Sequence, residues 1–214
     1  MKSSLLWSAA GAMAVTGVCA ASEPGPWRAA TAPLMTEWAK DVSPANALPD
    51  YPRPQMVRED WLSLNGLWDY AVVTVSDSTD TPADTASAAV PSSWDGKILV
   101  PYPVESALSG VMKPVKPDMA LWYRRTFEIP RRWHGRRILL HFEASDWETT
   151  VRLNGKPLGS HQGGYDGFSF DITDALIPGR KQELAVEVRD PTDSSGGNPR
   201  GKQTLRPGGI MYTP

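Results

Sequence analysis

Apolar and polar residues alternate in short runs along most of this chain, and a period of two is the repeat of a strand. Tyr123, Phe127 and Ile129 alternate with Arg124, Thr126 and Glu128, and Ile138, Leu140 and Phe142 alternate with Leu139, His141 and Glu143. Thr149, Val151 and Leu153 follow, then Phe168, Phe170 and Ile172, then Leu184, Val186 and Val188. Each set can face one core. Residues 67–73 differ: Leu67, Ala71 and Val73 interleave with Trp68, Tyr70 and Val72, so this strand is predicted to be buried on both faces. Asn154-Gly155 supplies the two positive φ values of a type I′ turn and predicts a hairpin on that spot. No helical period extends beyond a turn or two, apart from a short helix expected at 35–40. About six strands with turns between them predict an all-β sandwich. Periodicity leaves jelly-roll and immunoglobulin-like connectivities both open.

Composition agrees with that reading. Twenty prolines, eighteen glycines and nine tryptophans in 214 residues suit many turns and short strands. One domain is the natural content of this length once the N-terminal segments are set aside. Lys2, an apolar run over 5–18 and the small residues around Ala20 predict a signal peptide over 1–20, too short to span a bilayer comfortably. The expected destination is periplasmic or secreted, with no membrane attachment after cleavage. The single cysteine, Cys19, falls inside that leader, so neither a disulfide nor a thiol site is expected in the mature chain. Residues 21–50 form a proline- and alanine-rich arm, and the Ser/Thr/Asp-rich stretch 74–90 is expected to be a solvated excursion. A net charge of −2 with scattered basic residues gives no stripe for nucleic acid.

Few residues stand in a pattern that carries chemistry. His134, His141 and His161 lack metal-ligand spacing, so no metal site is expected. No nucleophile elbow surrounds a serine, and Gly163, Gly164 and Gly167 lack the strand–loop–helix setting of a phosphate cradle; they predict a turn or bulge. Glycoside hydrolysis needs two carboxyl groups about 5 Å or about 6.5–9.5 Å apart. No such pair announces itself: Glu143, Asp146 and Glu148 are expected to be solvated at strand edges, and Glu105 to serve a structural hydrogen bond or ion pair. What remains is aromatic residues beside polar loops, which suits a sugar's apolar ring faces and hydroxyl edges. Trp94, Trp122, Trp147 and Tyr165 are candidate platforms, with core packing as the competing role. The loop after the last strand carries Asp190, Asp193, Asn198, Arg200, Lys202 and Gln203, stiffened by Pro191, Pro199 and Pro207.

Six stretches in order, NGLWDY (65–70), WDGKILVPYPVESALSGV (94–111), LWYRRTFEIP (121–130), VRLNG (151–155), GGYDGFSFDIT (163–173) and VRDPTD (188–193), resemble the N-terminal sugar-binding domain of glycoside hydrolase family 2. That family includes β-galactosidases, β-glucuronidases and β-mannosidases. The resemblance covers 51–214 and implies a jelly-roll-type β-sandwich, of the galactose-binding-domain kind. It also implies that the catalytic glutamates of a retaining mechanism belong to a (β/α)8 barrel that follows an immunoglobulin-like domain, both expected to be absent from this chain. The implied role is accessory: no catalytic residue, no cofactor, a β-glycoside as partner, and the missing domains of the same enzyme as further partners. Asp190 and Asp193 match the family's acidic loop positions, with Asp193 favoured as a hydroxyl acceptor and Arg200, Lys202 and Gln203 shaping the loop. The chain departs from the family pattern at Met211, where an aromatic residue is expected, and in the stretch before Trp94. A freestanding carbohydrate-binding module without hydrolase activity is the alternative.

Overall fold

The computed structural model describes residues 27–75 and 89–191. The leader, most of the Ser/Thr-rich excursion and the loop beyond Pro191 lie outside the described residues. Eight strands are described: β1 Gly66–Thr74, β2 Gly96–Val100, β3 Met119–Phe127, β4 Leu139–Phe142, β5 Glu148–Leu153, β6 Lys156–Gln162, β7 Phe168–Asp171 and β8 Gln182–Arg189. Among the described residues the helical segments are all short 3₁₀ turns, and one of them, Glu37–Asp41 ahead of β1, takes the place of the short helix expected in the arm.

Six strands form one antiparallel sheet in the order β2-β1-β3-β8-β5-β6, while β4 and β7 pair to form a second sheet. The architecture is a jelly-roll-type β-sandwich. Alternation explains the layering. Trp68, Leu121, Phe127, Val151, Leu153, Leu184 and Val186 point from the large sheet into one apolar cluster, which Leu140 from the small sheet also enters. Phe142 and Phe168, direct partners across β4 and β7, stack with centroids 4.8 Å apart and close the core from that side. Leu153 and Leu184 are fully buried, so truncating either to alanine costs about 2–5 kcal/mol.

The second face of the large sheet is also apolar in its middle. Ala71, Ala120, Trp122 and Ala185 form a separate buried cluster there, with Val73, Val75, Val90 and Trp94 packed around it. This is why residues 67–73 read as apolar on both faces.

The predicted hairpin is present. Asn154 (φ 53°) and Gly155 (φ 78°) make the turn between β5 and β6, with Leu153 opposite Lys156. The Asn154 side chain also reaches beyond its own hairpin. Its Nδ2 donates to the Ala175 carbonyl and to Gln182 Oε1, both at 2.8 Å, and its Oδ1 accepts the Glu183 N–H at 2.9 Å. Gln182 is only 2% exposed, and its amide nitrogen donates to the Ile177 and Arg180 carbonyls. A buried amide with all its partners present locks the start of β8 to the hairpin.

Candidate functional site

Strand register decides which loops share an end of the sandwich. Leu121 pairs with Val188 and Glu148 with Arg189, while Gln162 lies opposite Glu148. The end of β8, the starts of β3 and β5, and the end of β6 therefore converge. Asp190 stands there, immediately after β8, where the Trp147 N–H donates to the Arg189 carbonyl at 3.3 Å.

A polar row crosses the outer face of the sheet at this end. Gln162 Nε2 donates to Glu148 Oε1 at 2.9 Å; Arg189, opposite Glu148, donates through Nε to Glu187 Oε1 at 2.8 Å. Glu187 is 3% exposed, and its ion pair with Arg189 is what makes that burial tolerable. Beside the row lies a depression of about 220 Å³ lined by Val75, Pro117, Asp118, Glu148, Arg189 and Pro191. Two carboxylates, one guanidinium and three apolar side chains can meet both the hydroxyls and the ring face of a sugar. Its volume falls below the roughly 300 Å³ at which complete ligand pockets begin, so these walls form part of a site.

A carboxylate cluster flanks this end. Glu105 sits in a closely tied loop: the Ser106 hydroxyl accepts the Ser109 N–H, the buried Ser109 hydroxyl donates to the Ser106 carbonyl at 2.7 Å with the Val104 carbonyl also in reach at 3.1 Å, and the Lys113 N–H donates to the Val104 carbonyl. The Trp27 indole ties the arm to the same loop through the Ser109 carbonyl at 2.9 Å. Burial pushes the Glu105 carboxyl above its ordinary range; the amides of Glu105 and Val115 pull it back, and the Asp190 charge adds to the rise. Burial also raises Asp146, again with Asp190 contributing. Asp146 is exposed on one side and crowded on the other by Gly164, where a Cβ would lie 2.5 Å from Asp146 Oδ1. The Tyr123 phenol is likewise pushed up, first by burial and then by Glu105.

The predicted platforms separate cleanly. Trp122 is 2% exposed and belongs to the outer-face cluster, so it offers no ring to a ligand. Trp94 is covered by the Arg124 guanidinium, 4.5 Å from its ring centroid. Trp147 is half-buried beside Asp190, and Tyr165, 97% exposed, lies in the β6–β7 loop at the same end. Of the polar candidates, only Asp190 falls within the described residues; Asp193, Arg200, Lys202 and Gln203 lie outside them. Sequence alone does not mark Asp118, Glu148 and Arg189 as a lining set, since their convergence depends on register between strands. Of the three acidic residues expected at strand edges, Glu143 is exposed, Asp146 carries the raised carboxyl and Glu148 lines the depression. Among the described residues no group of three or more histidine, cysteine or carboxylate side chains has the arrangement of a metal site. No helix among them is long and apolar enough to cross a membrane.

Residues 61–197 match the family described as glycosyl hydrolases family 2, sugar binding domain. The chain belongs to this family. Among relatives of family 2 type, a β-glucuronidase of Paenibacillus borealis is 28% identical over 170 residues, covering 75% of this chain and 24% of that protein. A β-galactosidase of Thermoanaerobacter pseudethanolicus is 40% identical over 68 residues, covering 31% of this chain and 9% of its own. A solved Bifidobacterium dentium β-glucuronidase, complexed with coumarin-3-O-glucuronide, is 33% identical with a TM-score of 0.43, over 59% of this chain and 19% of that one. The chain thus spans about a quarter or less of the length of these relatives, which are larger glycosidases.

Proposed function

We propose that this chain is the sugar-binding, non-catalytic part of a larger family 2 glycoside hydrolase that cleaves O-glycosyl bonds. The observation that carries this reading is the incomplete site: a depression of about 220 Å³ with Asp118, Glu148 and Arg189 in its wall, Asp190 standing in the chain between its lining residues Arg189 and Pro191, and too little volume to hold a whole ligand. Its remaining walls would come from the loop after Asp190, with Asp193 accepting a sugar hydroxyl and Arg200, Lys202 and Gln203 shaping that loop, and from the other domains of the enzyme. The acid/base and nucleophile carboxylates would lie on one of those domains. The names of the relatives favour a β-glucuronide or β-galactoside as substrate, and the leader-like N-terminus favours export to the periplasm or beyond.

Two measurements on the 214-residue chain test this. It should release no aryl product from p-nitrophenyl β-glucuronide or β-galactoside, because the reacting carboxylates would be elsewhere; turnover by pure protein would refute that part. Ligand-observed NMR should show weak millimolar binding of glucuronate or galactose that Asp190→Ala weakens by about fivefold or more, the loss expected for a charge-assisted hydrogen bond. Binding unaffected by Asp190→Ala would remove the end of β8 from the site.

A further inference from the structure

The end of the sandwich opposite Asp190 has the opposite charge character. β3 runs from Leu121, level with Val188, to Phe127, level with Gln182, a distance of about 20 Å. Beyond Phe127 the chain reads Pro130-Arg131-Arg132-Trp133-His134-Gly135-Arg136-Arg137, four arginines in seven residues, all exposed. They are held in place. Trp133 is buried, its backbone N–H donates to the Pro130 carbonyl, and the His134 and Arg136 N–H groups close the turn onto Arg131 and Trp133. Asp60 receives the Trp133 indole at 2.8 Å, Arg132 Nε at 3.1 Å and Arg136 Nη1. Arg137 Nε donates to Asp171 at 2.6 Å. Four guanidinium groups therefore face two carboxylates, and the Arg131 side chain makes no hydrogen bond or ion pair among the described residues. In a chain of net charge −2, this loop concentrates unbalanced positive charge on a rigid turn.

We propose that the 131–137 loop is a second carbohydrate contact, one that grips a carboxylate-bearing polysaccharide. Pre-ordered guanidinium forks match planar carboxylates two bonds at a time. The loop offers little to a base-stacking or bilayer-inserting surface, because its indole, Trp133, is buried and its one exposed ring is the small polar imidazole of His134. The choice of a glycan among polyanions rests on the sugar-binding reading above; the charge argument does not. A polyuronate bound here would keep the domain on its polymer while the β8 end, about 20 Å away, handles a sugar unit.

The test is affinity electrophoresis of the 214-residue chain in native gels containing polygalacturonate, dextran or double-stranded DNA. At about 0.01 M salt, where the screening length is about 30 Å, polygalacturonate should retard the chain and dextran should not, with the effect shrinking at about 0.15 M. Arg131→Gln/Arg137→Gln should weaken retardation about five- to tenfold, and the corresponding lysine pair should recover part of it. Should the double variant melt early, Arg131→Gln alone carries the comparison, since that side chain supports nothing in the fold. The fold-loss in retardation caused by the arginine substitutions should be the same in the Asp190→Ala background, so that failure of the β8 site and failure of this loop read out separately. Absence of retardation, insensitivity to the arginine substitutions, equal retardation by dextran, or equal or stronger retardation by DNA would each overturn the proposal.

Discussion

Glu105 is half-buried in a loop that the Ser106 and Ser109 hydrogen bonds hold in place. Its raised protonation range means that the ionised form is held at a cost in the folded protein, from burial first and from Asp190 second. Glu105→Gln keeps the shape and an acceptor for the amides while removing the charge. The variant should melt at a higher temperature than the parent at pH 7, and the gain should vanish near pH 4, where the parent carboxyl is itself protonated. Thermal unfolding followed by circular dichroism at the two pH values decides this; a lower melting temperature at pH 7 would mean that Glu105 has a cationic partner and not an anionic neighbour. If the sugar site lies at this end, Glu105→Gln should also leave the domain's fold intact for binding studies, because the Ser106–Ser109 bonds that hold the loop do not involve it.

Among elements, the β5–β6 hairpin shows how one residue can serve two strands. Asn154 supplies both the left-handed turn and three side-chain bonds, one to Ala175 in the β7–β8 connection and two to Gln182 and Glu183 at the start of β8. The two roles can be separated. Asn154→Gly keeps the backbone freedom and loses the bonds, which should cost about 1–3 kcal/mol, although Gln182 Oε1 keeps the Ile177 N–H as a donor. Asn154→Ala loses both and should cost about 1 kcal/mol more, the penalty of a left-handed conformation with a Cβ. Urea unfolding of the three proteins gives the difference directly; equal losses would show that the turn contributes nothing beyond its side chain. The turn itself was legible in the sequence, since Asn-Gly between alternating runs has few other uses. The inward faces of β3, β4, β5, β7 and β8 were legible for the same reason. β2 was not, because five residues that open with Gly96 and Lys97 and end before Pro101 show no alternation of their own. Nor was the outer-face cluster, because Ala71, Ala120 and Ala185 are too small to declare a buried face; only Trp122 hinted at it, and it looked equally like a ligand platform. The candidate site was legible only at Asp190, the residue that ends a recognisable strand. Asp118, Glu148 and Arg189 join it through pairings between segments far apart in sequence.

Across the whole molecule, the two ends should respond to acid in opposite senses. At the β8 end, Glu105 and Asp146 are raised by burial and by Asp190. A carboxyl whose folded value exceeds its unfolded one binds its proton more tightly in the native state, so stability there is highest in acid and is lost as pH climbs through the raised values. At the arginine end, Asp60 is lowered, chiefly by the Trp133 and Arg132 hydrogen bonds, and Asp171 is held down to about 2, chiefly by Thr173 and then Arg137. Those carboxylates stabilise the fold above the ordinary carboxylate range, and their contribution disappears as pH falls toward the lowered values. Both are open to solvent, so each contributes little alone. The melting temperature should therefore rise as pH drops from about 7 toward the ordinary carboxylate range, while the β8 end sheds its repulsion, and fall below about 4, as the arginine end loses its partners. The two limbs can be assigned by variants. Glu105→Gln should flatten the upper limb and leave the lower one, and Asp171→Asn should do the reverse, in scans of melting temperature against pH. A profile that falls steadily from pH 7 downward, unchanged by Glu105→Gln, would mean that Glu105, Asp146 and Asp190 do not share one field and that the acidic end is three separate surface charges.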